Sequence, residues 1–334
     1  MSCFHPITAF DVTPKYFTVN ERRKIVFQVS SPLHEQLARE GRVLQLPCGQ
    51  CIGCRLEYSR QWANRCLLEK SYHDSSFFVT LTYDDAHVPK TFSVDEETGE
   101  VLSPAMTLRS RHLQLFLKLV RRHFPDDNIR FFGCGEYGTY SLRPHYHLIL
   151  FGLHLNDLVT YSKSPLGFQY FNSESLSRCW IDGQTGESRG YVVVGDVSWD
   201  SCAYVARYLL KKQKGATAEI YKKLNIEPEF SRMSRKPGIG RQFYDDHPEI
   251  WRFNQINLKG DSGGRSFPHP LYLRRLFEID DPFGAFELSE KRKLNAISKN
   301  ILKSTLTDND YYDILKIEEE SKQRRLKSLF REVL

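Results

Sequence analysis

Ile129-Arg130-Phe131-Phe132-Gly133-Cys134-Gly135-Glu136, followed after the turn-rich interval Tyr137 to Pro144 by His145-Tyr146-His147-Leu148-Ile149-Leu150-Phe151, decides how this chain folds. Ile129 to Gly135 and His145 to Phe151 are rich in aromatic and branched apolar residues, which predicts two strands joined as a hairpin. Residues one apart on a strand point to the same face, so His145 and His147 can share an ion. If the hairpin pairs its strands directly, Glu136 lies nearly opposite His145 on that face. Two imidazoles and one carboxylate make a three-point site with positions left for water and a substrate oxygen. The set Glu136, His145 and His147 suits Mg2+ or Mn2+ when a phosphate supplies further oxygens. A buried Glu–His hydrogen bond is the structural alternative.

Outward from the hairpin, Phe77-Phe78-Val79-Thr80-Leu81-Thr82 and Tyr191 to Val197 read as further strands. Lys24 to Val29 and Arg42 to Leu46 read as short strands around a polar helix within Ser30 to Gly41. Gly53 to Tyr72 is expected to be helical, with Trp62, Cys66 and Leu67 toward a core. Thr107 to Phe124 predicts an amphipathic helix with an apolar stripe of Leu108, Leu115, Leu119 and Val120, stopped by Pro125. Asp84 to Ala105 and Asn156 to Arg189 read as insertions, the first with a turn at Glu97 to Glu100. The tail from Glu287 alternates both charge signs and looks helical. The order strand, helix, strand, strand, strand, helix predicts an α+β fold with a central, mainly antiparallel sheet and flanking helices.

A second constellation follows that sheet. Cys202-Ala203-Tyr204-Val205-Ala206-Arg207-Tyr208-Leu209-Leu210-Lys211-Lys212 has helical spacing, and Ser198 or Asp200 can cap it. Tyr204 and Tyr208, four apart, share a helix face, and each has a cation three positions on, Arg207 or Lys211. A tyrosine ionises near pH 10, so attack on phosphorus needs a nearby cation and a metal-polarised target. Such a pair is more often core packing when it stands alone; beside a metal triad it becomes a candidate nucleophile pair.

The 334-residue chain has a formal charge of +6, with apolar and charged fractions of 40% and 26% that suit a globular protein. From Arg207 to Arg241 there are ten Lys/Arg against three Glu, so the positive charge is concentrated beside the candidate site. That placement favours an anionic polymer as partner. No long uncharged apolar stretch predicts a membrane span. Met1 to Pro6 lacks the basic and apolar pattern of a secretory signal, and a reducing cytoplasm is expected to hold the eight cysteines as thiols or metal ligands. Cys48-Gly49-Gln50-Cys51-Ile52-Gly53-Cys54 has metal-ligand spacing, so Cys48, Cys51 and Cys54 are candidates for a structural Zn2+, with Cys66 or His73 as the fourth ligand. No Gly-x-x-x-x-Gly-Lys-Ser/Thr motif is present, so a fused helicase is not expected.

Phe77 to Pro89, Gly135 to Gly138 leading to Arg143-Pro144-His145-Tyr146-His147, and Tyr204 to Lys212 together resemble the three motifs of rolling-circle replication initiators of the HUH endonuclease superfamily. The paired tyrosines are most similar to the initiators of small single-stranded DNA phages, the microviruses and in particular the gokushovirus branch. Ser234-Arg235-Lys236-Pro237-Gly238-Ile239-Gly240 is also similar to those phage proteins. The resemblance implies an RRM/ferredoxin-like nuclease core over about 73–215, a Cys-rich segment at 1–72, and a basic then mixed-charge helical region at 216–334 open to DNA contact. It implies that Glu136, His145 and His147 hold a divalent ion against the scissile phosphate. Tyr204 or Tyr208 would attack, leaving a 5′-phosphotyrosine and a free 3′-hydroxyl, and Lys211, with Arg207 a second candidate, would steady phosphate charge. Single-stranded origin DNA, a host helicase and a host DNA polymerase are the implied partners, in the host bacterial cytoplasm. A plasmid-type initiator, a zinc-stabilised DNA-binding protein without catalysis, and a metal-dependent hydrolase using water are the other readings of the same residues.

Overall fold

A computed structural model describes residues 3–14, 24–94, 97–101, 104–138, 141–163, 167, 169–207, 218–259 and 263–329, without the side chains of Asp200, Tyr204 and Arg207. The chain forms two compact units, one of Met1–Glu57 with Glu290–Leu334 and one of Tyr58–Ser289.

In the first unit, strand β1 (Ile7–Asp11) pairs antiparallel with β2 (Ile25–Val26) and β3 (Val43–Leu46). Helix α1 (Ser31–Arg39), with a proline in its first turn where no intrahelical N–H is lost, buries Leu37. Helix α2 (Ile52–Lys70) begins in this unit and continues into the second. It buries Trp62, Cys66 and Leu68, and Leu67 is only partly buried.

The second unit is organised by one antiparallel sheet. After β4 (Ser76–Tyr83) come the two-residue strands β5 (Lys90–Thr91) and β6 (Ala105–Met106), which pair with each other and close the first insertion. Helix α3 (Ser110–His123) then leads to β7 (Arg130–Tyr137) and β8 (Pro144–Phe151). The second insertion is not merely a loop: it adds β9 (Val159–Lys163), β10 (Gln169–Asn172) and the short α4 (Glu174–Ser177) before β11 (Gly190–Asp196). Helix α5 (Trp199–Arg207) follows, and after α6 (Glu219–Lys223) strand β12 (Phe230–Met233) returns to the sheet. The seven strands stand in the order β12-β7-β8-β4-β11-β10-β9. Within it, β4-α3-β7-β8-α4-β11 has the β-α-β-β-α-β connection of ferredoxin-like folds, with β4 between β8 and β11.

Alternation along the strands divides the sheet into two faces. Val79, Leu81, Tyr83, Tyr146, Leu148 and Leu150 pack against α3 and Trp180 on one face. The helix uses Leu113, Phe116, Leu117 and Val120 for this, not the stripe through Leu115 and Leu119 that spacing suggested. The leucine-rich run offers several stripes of equal apolarity, and contact with the sheet selects among them. On the other face, Phe78, Phe132, Cys134, Ile149 and Phe151 pack against Trp62, Ala63 and Cys66 of α2 and against Cys202, Ala203, Val205 and Ala206 of α5. Gly190, at φ +140°, crosses the central strand so closely that a Cβ there would lie 2.4 Å from the Thr82 carbonyl oxygen.

Beyond β12, helix α7 (Arg241–Asp246), the hairpin of β13 (Gln255–Leu258) and β14 (Arg265–Pro268), and α8 (Leu271–Asp280) enclose a third apolar cluster. Phe243 and Tyr244 are buried in it, and Trp251 stacks on Phe277 at 4.1 Å, so these rings are core residues; Phe253 is exposed. Helices α9 (Pro282–Thr305) and α10 (Tyr311–Leu329) form the mixed-charge tail. No described helix is long and apolar enough to cross a membrane.

Candidate active site

The β7–β8 ladder pairs Glu136 with His145 and Cys134 with His147. The β8–β4 ladder pairs His145 with Thr82 and His147 with Thr80. All of these side chains therefore occupy the face that carries α2 and α5. Glu136 and His147 are buried, and His147 Nε2 lies 3.0 Å from Glu136 Oε1. The two imidazole rings are inclined by 30° with centroids 6.4 Å apart. Glu136, His145 and His147 thus share one face, and the two atoms that would bind an ion, Nε2 and Oε1, already face each other.

Two hydroxyls orient the imidazoles. Thr80 Oγ1 is 3.1 Å from His147 Nδ1, and Thr82 Oγ1 is 3.1 Å from His145 Nδ1. A threonine hydroxyl can donate to Nδ1 or accept from Nδ1–H. It therefore serves both tautomers: Nε2–H donating to Glu136, or Nε2 presenting its lone pair to a metal. The donor set, two imidazole nitrogens and a carboxylate oxygen with the far nitrogens already engaged, fits a divalent ion whose remaining ligands are oxygens.

Tyr146, between the histidines, points to the opposite face and is fully buried beneath Trp180 and Phe230. Its hydroxyl accepts from the Arg109 N–H at 2.9 Å and lies 2.7 Å from the Tyr83 hydroxyl. Tyr83 Oη in turn lies 2.7 Å from His112 Nδ1. Burial, with the Arg189 guanidinium next, pushes the His112 imidazole down to about 4, so it is neutral and accepts from Tyr83. The residue between the two site histidines is thereby locked from behind by a hydrogen-bonded chain.

Helix α5 lies directly on the site face. Ser198 caps it, accepting from Ser201 N–H at 3.1 Å, while Cys134 Sγ donates to the Val205 carbonyl at 3.6 Å. Tyr204 is in α5, although only its backbone is described; Tyr208 and Lys211 lie outside the described residues.

A cationic loop borders the same sheet. Ser234 to Gly240 follows β12 and is anchored by buried partners: Arg130 donates to Pro237 O at 2.8 Å, Arg65 to Ile239 O at 3.0 Å, and Gly240 N–H to Glu69 Oε2 at 2.6 Å. Burial alone would raise the Glu69 carboxyl, but His73, Gly240 and Arg130 together hold it below the ordinary range. Arg232, Arg235 and Lys236 remain exposed.

In the first unit, Cys3 joins Cys48, Cys51 and Cys54, and the four sulfurs lie within 4.8 Å of one another, close enough to bind a metal. The fourth member is neither Cys66, which is buried against Trp62 and Phe132, nor His73, which faces Glu69. The ring-orienting threonines and Cys3 are the residues that sequence reasoning missed. The period-2 spacing of Thr80 and Thr82 was the available signal for the former.

Residues 76–213 match the replication-associated protein ORF2 family. The chain is 32% identical to the replication-associated protein ORF2 of Spiroplasma virus 4 over 293 residues, covering 86% of this chain and 85% of that protein. It is 28% identical to the replication-associated protein VP4 of Bdellovibrio phage phiMH2K, over 78% of this chain and 76% of the relative. With the replication-associated protein ORF4 of Chlamydia phage 1 it shares 29% identity, over 78% and 62%. No solved structure matches the chain.

Proposed function

This chain belongs to the replication-associated protein ORF2 family, and on that premise we propose that it initiates rolling-circle replication of a small phage genome by nicking and rejoining single-stranded DNA through a tyrosine. The observation that carries the proposal is the seating of α5, the helix leading to the tyrosine pair, on the face that holds Glu136, His145 and His147.

In this mechanism Glu136, His145 and His147 hold a Mg2+ or Mn2+ ion. When bound, the ion withdraws charge from the scissile phosphate and makes phosphorus a better electrophile. Thr80 and Thr82 keep the histidine Nε2 atoms aimed at the site. The phenol of Tyr204 or Tyr208 attacks phosphorus, the Tyr Oη–P bond forms and the P–O3′ bond breaks. The phenol proton is lost and the departing 3′-oxygen gains one. The phosphodiester count is unchanged, so the free 3′-hydroxyl primes synthesis and reversal of the step seals a strand without a nucleotide cofactor. The second tyrosine can cut the regenerated origin after one round, and Lys211 or Arg207 steadies the phosphate charge. Arg232, Arg235 and Lys236 supply phosphate contacts that place the strand. A host helicase and a host polymerase complete replication in the bacterial cytoplasm.

The test is incubation of the protein with labelled single-stranded origin DNA and Mn2+, followed by a denaturing gel. A DNA-linked protein band that persists in Tyr204→Phe or Tyr208→Phe and disappears in the double variant supports the mechanism. Cleavage with no linked band would replace it with hydrolysis by water, and origin binding with neither product would leave a binding protein.

A further inference from the structure

The Cys3, Cys48, Cys51 and Cys54 thiols take no part in phosphoryl transfer, and their role is independent of it. All four are free thiols, with Cys51 Sγ 3.9 Å from Cys3 Sγ. Gly49, at φ +72°, turns the chain between Cys48 and Cys51 so that successive backbone N–H groups aim at sulfur. Gln50 N and Cys51 N lie 3.4 and 3.2 Å from Cys48 Sγ, and Cys54 N lies 3.5 Å from Cys51 Sγ. The N-terminal arm is wired in reciprocally: Cys48 N donates to Cys3 Sγ and Phe4 N to Cys51 Sγ, both at 3.3 Å. Hydrogen bonds donated to sulfur favour thiolate over thiol, which is the state that ligates a metal.

Three kinds of chemistry use clustered cysteines, and the distances separate them. A disulfide would bring two sulfurs to about 2.05 Å. The Cys-x-x-Cys-x-x-Cys spacing with a remote fourth cysteine also suits a four-iron cluster. There each thiolate sits on a different corner of a cube, which spreads the sulfurs. A single tetrahedral ion with metal–sulfur bonds of about 2.3 Å spaces its sulfurs by about 3.8 Å. The observed 3.9 Å separation, within a group spanning no more than 4.8 Å, matches the single ion.

We infer that Cys3, Cys48, Cys51 and Cys54 bind one structural Zn2+ ion, which pins the residues ahead of β1 to the loop between β3 and α2. The ion closes a loop of more than forty residues around a sheet in which β2 has only two residues. So short a sheet gains from a metal staple what its small apolar core does not supply.

The test uses the full-length protein purified under reducing conditions without chelator. Metal analysis is expected to give one sulfur-bound zinc per chain, and X-ray absorption four sulfur neighbours at about 2.3 Å. Alkylation mapped by mass spectrometry is expected to modify Cys3, Cys48, Cys51 and Cys54 in the native protein only after zinc removal. Cys3→Ser is expected to lose the four-sulfur shell, whereas Cys66→Ala and His147→Ala keep it. Should Cys3→Ser fail to fold, the wild-type absorption and alkylation data decide alone. The inference is overturned by a zinc-free protein with reduced thiols, a nitrogen and oxygen shell only, iron with labile sulfide, chelator-independent alkylation of Cys3, or a four-sulfur shell that survives Cys3→Ser.

Discussion

Thr80 and His147 are joined across the β4–β8 ladder, with the threonine Oγ1 3.1 Å from the imidazole Nδ1. The hydrogen bond fixes the ring from the side away from Glu136, so the metal-facing nitrogen is set by a residue that never touches the ion. Thr80→Val and Thr82→Val keep the β-branched shape and remove the hydroxyl. Each is expected to weaken Mn2+ binding by about 10–100-fold, measured by titration calorimetry, with the folded state retained. Thr→Ser at either position should restore most of it. Unchanged affinity in the valine variants would remove the threonines from the site.

Arg235 and Lys236 are exposed on a loop whose backbone is held by Arg65, Glu69 and Arg130. Their replacement by alanine should therefore leave the loop in place while removing charge. Binding to single-stranded DNA is expected to weaken for origin and unrelated sequences alike. The slope of log K against log salt should fall by about 0.7 for each phosphate that the variant no longer neutralises. A slope equal to that of wild type would mean that these cations do not face the strand.

His112 gives a pH dependence with a definite sign. Its folded pKa is pushed down to about 4 by burial and Arg189, below the unfolded value of about 6.5. The unfolded chain therefore takes up the proton first as pH falls. The stability associated with neutral His112 is complete above about pH 6.5 and is lost progressively toward about pH 4. In urea melts across this window, wild type should lose stability faster than His112→Gln, and the two should run parallel above it. Parallel curves throughout would exclude a depressed His112.

The hairpin was legible because strand alternation and register are local rules. His145 and His147 share a face by period, and direct pairing of two short strands places Glu136 across from His145. The threonines belong to the same alternation, but their role depends on β4 being the neighbour of β8, a pairing that about sixty residues of intervening chain conceal. Cys3 was invisible for a related reason: it precedes Cys48 by 45 positions, and no spacing rule reaches that far. The second insertion hid β9 and β10 because β9 is exposed at every position and carries no buried face to alternate with. The expectation for the tyrosine pair survives only in part as structure, since α5 is described to Arg207 and Tyr208 and Lys211 fall beyond it.

Gly190 sets a limit on how this sequence can drift. Its missing side chain is what lets β11 approach the Thr82 carbonyl, and Thr82 is also the residue that holds His145. Even the smallest replacement, alanine, would force the backbones apart at the point where the site is braced. Variation in descendants should therefore be free in the exposed turn from Gly183 to Glu187 and closed at Gly190, three residues further on. A position far from any reacting atom is thus expected to be among the least changeable in the chain, for reasons of space alone.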